Sequence, residues 1–129
     1  MSASIRFLST DDVMAIQQNT LAHEGGGAGL RDAGLLESAV QMPQQQFGGQ
    51  YLHDDLGSMA AAYLFHIAAN HPFLDGNKRA AALSALVFLD VNGVKKLPSP
   101  QSLERATLAI ATGKMDKQAA IQWMRDSIG

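Results

Sequence analysis

The chain has 129 residues, 47% of them apolar and 17% charged, a balance that excludes a disordered chain and predicts one domain spanning residues 1–129. A net charge of −2 and a pI near 6.0 exclude the basic footprint of direct nucleic-acid binding or of an anionic membrane surface. With no cysteine, disulfides and thiolate zinc sites are excluded too.

Ile5 to Leu8 read as a short extended entry, and Ser9-Thr10-Asp11-Asp12 offer caps for a helix carrying Val13, Ile16, Leu21 and Ala22 up to Gly25-Gly26-Gly27. Asp32 is placed to cap a second helix through Leu35, Leu36, Ala39 and Val40, which Pro43 ends. The next stretch, Gln44 to His53, is too rich in glutamine and glycine for a helix and sets Phe47 and Tyr51 on either side of Gly48-Gly49. Leu56, Met59, Ala60, Tyr63, Leu64, Ile67 and Ala68 then recur at helical spacing until Pro72 stops them. A fourth helix starts near Asn77, carries Ala80, Leu83, Leu86, Val87 and Val91, and ends at Asn92-Gly93. Lys95-Lys96 read as a solvated turn. Ser99-Pro100 open a helix with Leu103, Ala106, Leu108 and Ala109, and a last helix capped near Asp116 offers Ala120, Trp123 and Met124 to the core.

No segment alternates as a strand does, so the expected fold is all-α, a compact bundle of about six helices. Met1 to Arg6 hold no apolar signal core, and the apolar run from Ala80 to Leu89 falls far short of the roughly 20 residues of a membrane span. A cytoplasmic protein with no membrane contact is expected.

Chemistry concentrates between Asn70 and Ala82, in the loop that feeds the fourth helix. A helix N-terminus presents unpaired N–H groups and about half a positive charge. Lys78 and Arg79 in that first turn have the wrong sign for an isolated helix, and a bound phosphate would resolve the conflict. Gly76 lets the backbone approach such a ligand, and Asn77 can cap the helix or donate to the same anion. Asp75 can hold Mg²⁺ against phosphate oxygens, and His71 stands at the edge as general base. Phe73 would anchor the turn in the core. The competing interpretation is an ordinary capped turn, since Asp-Gly pairs form turns and a lone histidine is often structural. Of the other histidines, His66 fits a hydrogen-bonded structural role, and His53, beside Asp54 and Asp55, a solvated capping role.

The run His71-Pro72-Phe73-Leu74-Asp75-Gly76-Asn77-Lys78-Arg79 resembles the signature loop of the Fic/Doc family, HPFx(D/E)GN followed by Gly or Lys and then Arg. Lys78, where AMP-transferring Fic enzymes have Gly, and Ala82, where they have a second Arg, are similar to the Doc, or death-on-curing, branch. Gly29-Leu30-Arg31-Asp32 is also similar to a segment of Doc-like chains, although an ion pair of Arg31 with Asp32 or Glu37 would explain it equally well.

The resemblance implies the toxin of a type II toxin–antitoxin pair. It would move the γ-phosphoryl group of ATP, or of another nucleoside triphosphate, to a Ser/Thr hydroxyl of a host translation factor, with elongation factor Tu the implied target. His71 would be the catalytic base and Asp75 the Mg²⁺ ligand, while Phe73, Gly76, Asn77, Lys78 and Arg79 would form the nucleotide site. Phe47, Gly48, Gly49 and Tyr51 would form a flap that docks the target backbone. The implied partner is a small cognate antitoxin, Phd-like or of another kind. Thr20 to Gly25 also fit the short inhibitory pattern (S/T)xxxE(G/N), which would let Glu24 act on the chain itself. The alternatives are Fic-type AMP transfer, against which Lys78 and Ala82 speak, and a non-catalytic helical binding module, against which an intact His71 speaks.

Overall fold

Every residue from Gly57 to Leu64 is buried, and a helix buried on all sides must run through the centre of its domain. This is the arrangement in the computed structural model, which describes residues 4–24 and 29–129, and the backbone alone of residues 21–24. Six helices stand among the described residues: α1 (Thr10–Glu24), α2 (Ala33–Gln41), α3 (Leu56–Asn70), α4 (Asn77–Val91), α5 (Pro100–Ala111) and α6 (Lys117–Ile128). Helices α2, α4, α5 and α6 pack around α3, and α1 lies against α4 and α2. The all-α fold is therefore as expected, and no helix among the described residues is long and apolar enough to cross a membrane. The proposed inhibitory pattern at Thr20 to Gly25 lies largely outside the described residues.

The helix starts follow capping chemistry. Asp32, Asp55, Ser99 and Asp116 each accept from a backbone N–H of the first turn of α2, α3, α5 and α6, and Ser9 Oγ accepts from Asp12 N at 3.1 Å on α1. Asp55 forms a reciprocal box with Ser58, and Arg125 of α6 reaches both Asp54 (3.1 Å) and Asp55 (2.9 Å), tying the last helix to the start of the central one. The entry segment is held by Tyr63, whose hydroxyl accepts from Leu8 N at 2.8 Å, and burial pushes that phenol up to about 12.

Four expectations change. On α4 the buried face is Ala80, Ala81, Ser84, Ala85, Phe88 and Leu89, whereas Leu83 and Val91 are each 40% exposed. Most of these inward residues are small, and α4 packs on α3, itself rich in buried alanines, with Phe88 set against Tyr63. On α5, Leu108 faces outward and Thr107 inward, its hydroxyl donating to Leu103 O at 2.6 Å. The stretch after Pro43, which sits in a 3-10 turn (Met42–Gln44), is a hairpin: β1 (Gln46–Phe47) pairs antiparallel with β2 (Gln50–Tyr51), and Gly48 and Gly49 supply the two positive φ values of its turn.

The fourth change concerns the histidines. His53 is buried, not solvated, and its Nδ1 has no partner; His66 Nε2 likewise lacks the hydrogen bond expected of it. Burial first, then the positive charge of Lys117, lowers the pKa of His53 against the opposing pull of the Met42 backbone and Asp54. Burial first, then Lys117 and His53, takes His66 down to about 4.

The unfolded chain binds a proton at His66 near the ordinary 6.5, the folded chain only near 4, so this contribution to stability is complete above pH 6.5 and is lost as pH falls towards 4. Urea unfolding should therefore show a midpoint that drops between neutral pH and about pH 5. Replacing His66 by Leu should flatten that slope, and an unchanged slope would show that the histidine is not its source.

Candidate active site

Pro72 cannot follow a helical residue without clashing, so α3 ends at Asn70 and His71 turns into the left-handed region at φ 52, ψ 58. Among the described residues it is the one non-glycine with positive φ, a conformation that costs about 1–2 kcal/mol for a residue with a Cβ. Its ring Nδ1 lies 3.1 Å from Ala69 O. A carbonyl oxygen only accepts, so this bond needs a proton on Nδ1, and in the neutral ring the lone pair then falls on Nε2 of an exposed side chain.

The loop after His71 is pinned from both sides. Pro72 O accepts from Arg31 N (2.8 Å) and Asp32 N (3.0 Å), Leu74 N donates to Gly29 O (3.2 Å), and Leu30 and Phe73 form an antiparallel bridge. Phe73 is 2% exposed, so its side chain anchors the turn in the core. Asn77 folds back on the loop: its Oδ1 accepts from Phe73 N at 2.9 Å and its Nδ2 donates to Phe73 O at 3.0 Å. The N-cap position belongs instead to Gly76, at φ 74, ψ 19. Helix α4 thus begins with no side-chain cap, whereas the other five helices have one.

Lys78 and Arg79 occupy that first turn and are exposed. Asp75 is exposed at its mouth, with Oδ1 accepting from Gly76 N at 2.7 Å. The fold brings His71, Asp75, Gly76, Lys78 and Arg79 into one loop and one helical turn. The described residues hold no cluster of three or more metal-ligating side chains, so Asp75 is a single protein carboxylate, a donor set suited to Mg²⁺ that shares its shell with phosphate oxygens and water.

The hairpin stands on a separate segment. Phe47 at its turn is 81% exposed, while Tyr51 packs on Phe7 with ring centroids 5.6 Å apart and so roots the hairpin on the body.

Two residues at the site escape a reading of the motif alone. Gln17 is 1% exposed and donates from Nε2 to Asp75 O at 3.1 Å, and its signal was its place among Val13 and Thr20 on the buried stripe of α1. Arg31 makes no use of Asp32 or Glu37: its Nε donates to His71 O (2.6 Å) and its Nη2 to Asn70 O (2.7 Å).

Comparison with known proteins bears on this site directly. Residues 7–89, which include the whole loop, match the model of the Fic/DOC family. The chain belongs to the Fic/DOC family. Two Doc proteins are among its relatives. One is Protein kinase doc of Escherichia phage P1, 32% identical over 125 residues, covering 97% of this chain and 98% of that one. The other is Toxin Doc of Mycolicibacterium smegmatis, 45% identical over 71 residues, 55% of each chain.

In this Fic/DOC chain the Asn77 amide holds the loop in shape, so Asn77→Ala should lower stability by about 1–3 kcal/mol, the effect of orphaning Phe73 N–H and C=O together. Hydrogen exchange at the Phe73 amide should quicken more than at the core of α3. Equal protection in the variant would show that the loop is held by other bonds.

Proposed function

We propose that the chain is a Doc-type toxin that phosphorylates a hydroxyl of a host protein, and that a nucleoside triphosphate binds with its phosphates over the N-terminus of α4. The observation that carries this reading is the uncapped first turn of α4, bearing Lys78 and Arg79, close in the chain to a histidine whose Nδ1 contact with Ala69 O leaves Nε2 as the acceptor of the neutral ring. The kinase and toxin names of the two relatives agree with it.

As the oxygen of the target Ser or Thr attacks the γ-phosphorus, His71 Nε2 takes its proton; the bond from that phosphorus to the bridging oxygen breaks, and the nucleoside diphosphate leaves. The backbone N–H groups of the α4 turn, with Lys78 and Arg79, hold the phosphates and balance their charge. Asp75 would hold Mg²⁺, which when bound supplies charge neutralisation on the phosphate oxygens. Lys78 in place of Gly adds a cation that follows the γ-phosphate, and Ala82 offers none for the deep β and γ phosphates that AMP transfer requires.

Phe47, held outward on the Gly48-Gly49 turn, is suited to dock a target segment, with elongation factor Tu the candidate target. A cognate antitoxin would neutralise the toxin.

Incubation with ATP, Mg²⁺ and elongation factor Tu, followed by intact mass measurement of the factor, tests the reaction. A gain of one phosphoryl group is expected, and a gain of AMP would replace the kinase reading by AMP transfer. His71→Ala should abolish both the mass gain and growth arrest without changing the melting temperature; a variant as toxic as the parent at equal expression would leave the binding-module reading in its place.

A further inference from the structure

Arg31 lies 40 residues before His71, and its guanidinium engages the main chain on both sides of that histidine. The Asn70 carbonyl belongs to the peptide plane that precedes the His71 Cα, and the His71 carbonyl to the plane that follows it. The relation of these two planes is what φ and ψ of His71 measure. One planar guanidinium, bonded at 2.7 and 2.6 Å to the two oxygens, therefore clamps both torsions at once.

The side chain is not needed to attach its own segment. Arg31 N, Asp32 N and the Leu74 N–H to Gly29 O bond already fasten residues 29–32 to the loop through the backbone. What the guanidinium adds falls on residues 70 and 71 alone. It also places a cation where the last carbonyls of α3 gather negative charge and would otherwise turn to water.

We propose that Arg31 is a positioning residue: it holds His71 in its left-handed conformation, so that the bond to Ala69 O keeps Nδ1 protonated and Nε2 directed to the reacting hydroxyl. This rests on the reading of His71 as the base. Lysine cannot replace it fully, because an ammonium group lacks the rigid fork that spans two carbonyl oxygens.

The test uses Arg31→Ala and Arg31→Lys in the full chain with two readouts. In the purified protein, ¹⁵N spectra of His71 report its tautomer without any substrate. The parent should show the Nδ1–H form; Arg31→Ala should lose that preference, and Arg31→Lys should recover part of it. In the transfer reaction, kcat should fall by about a hundredfold in Arg31→Ala while KM for the nucleotide is unchanged, the pattern of a misplaced base at an intact phosphate site. If the alanine variant does not fold, the lysine variant carries both measurements.

An unchanged His71 spectrum in the folded variants overturns the proposal, as does a parental kcat beside an inactive His71→Ala control. If His71→Ala itself turns over like the parent, the base reading fails, and the ring spectrum alone then decides whether Arg31 positions His71.

Discussion

Helices α3 and α4 pack on each other along a face that carries many buried small residues and the ring pair of Tyr63 and Phe88, whose centroids lie 5.2 Å apart. Ala60, Ala61 and Ala68 on one helix and Ala80, Ala81, Ser84 and Ala85 on the other are all fully buried, and the two helices are joined by the six residues from His71 to Gly76. Alanines let helix axes come close, and a short connection between close helices must reverse sharply. The left-handed turns at His71 and Gly76, the buried Phe73 and the folded-back Asn77 are how this chain makes that reversal. The site's geometry thus depends on how α3 and α4 pack. A bulky side chain at Ala81 or Ala85 would disturb the loop without touching it.

Within that reversal the electrostatics are one-sided. Two cations stand at the start of α4, which has no side-chain cap, and Asp75 is the one carboxylate of the loop. An N-terminus that also carries Lys78 and Arg79 is less favourable for the helix dipole than one with acids there. The end of α3 has the opposite polarity and is met by the guanidinium of Arg31. The two helix termini that face the loop are therefore treated differently, one met by the Arg31 guanidinium and the other begun without a side-chain cap.

Much of this was legible in the residues. The loop between two helical patterns, the caps at Asp32, Ser99 and Asp116 and the helix start at Asn77 all follow from local chemistry that the fold leaves in place. The face of α4 was not legible, because a search for bulky apolar residues selects Leu83 and Val91, while a close helix contact selects the alanines beside them. The hairpin was hidden by strands too short to alternate, although Phe-Gly-Gly-Gln holds the two glycines such a turn needs. Burial of His53 could not be inferred from neighbours as polar as Asp54 and Asp55. Neither could the reach of Arg31, whose partners are main-chain oxygens that any sequence would supply.

The left-handed backbone at position 71 sets folding and chemistry against each other. Glycine adopts that conformation without the steric penalty a Cβ brings, so for the turn alone glycine would be the better residue. A histidine there is a departure from the most stable sequence, and the proposed role of its ring as a base gives a reason for it. Selection for stability alone would remove this side chain first, and its presence is a trace in the backbone itself of a demand other than folding.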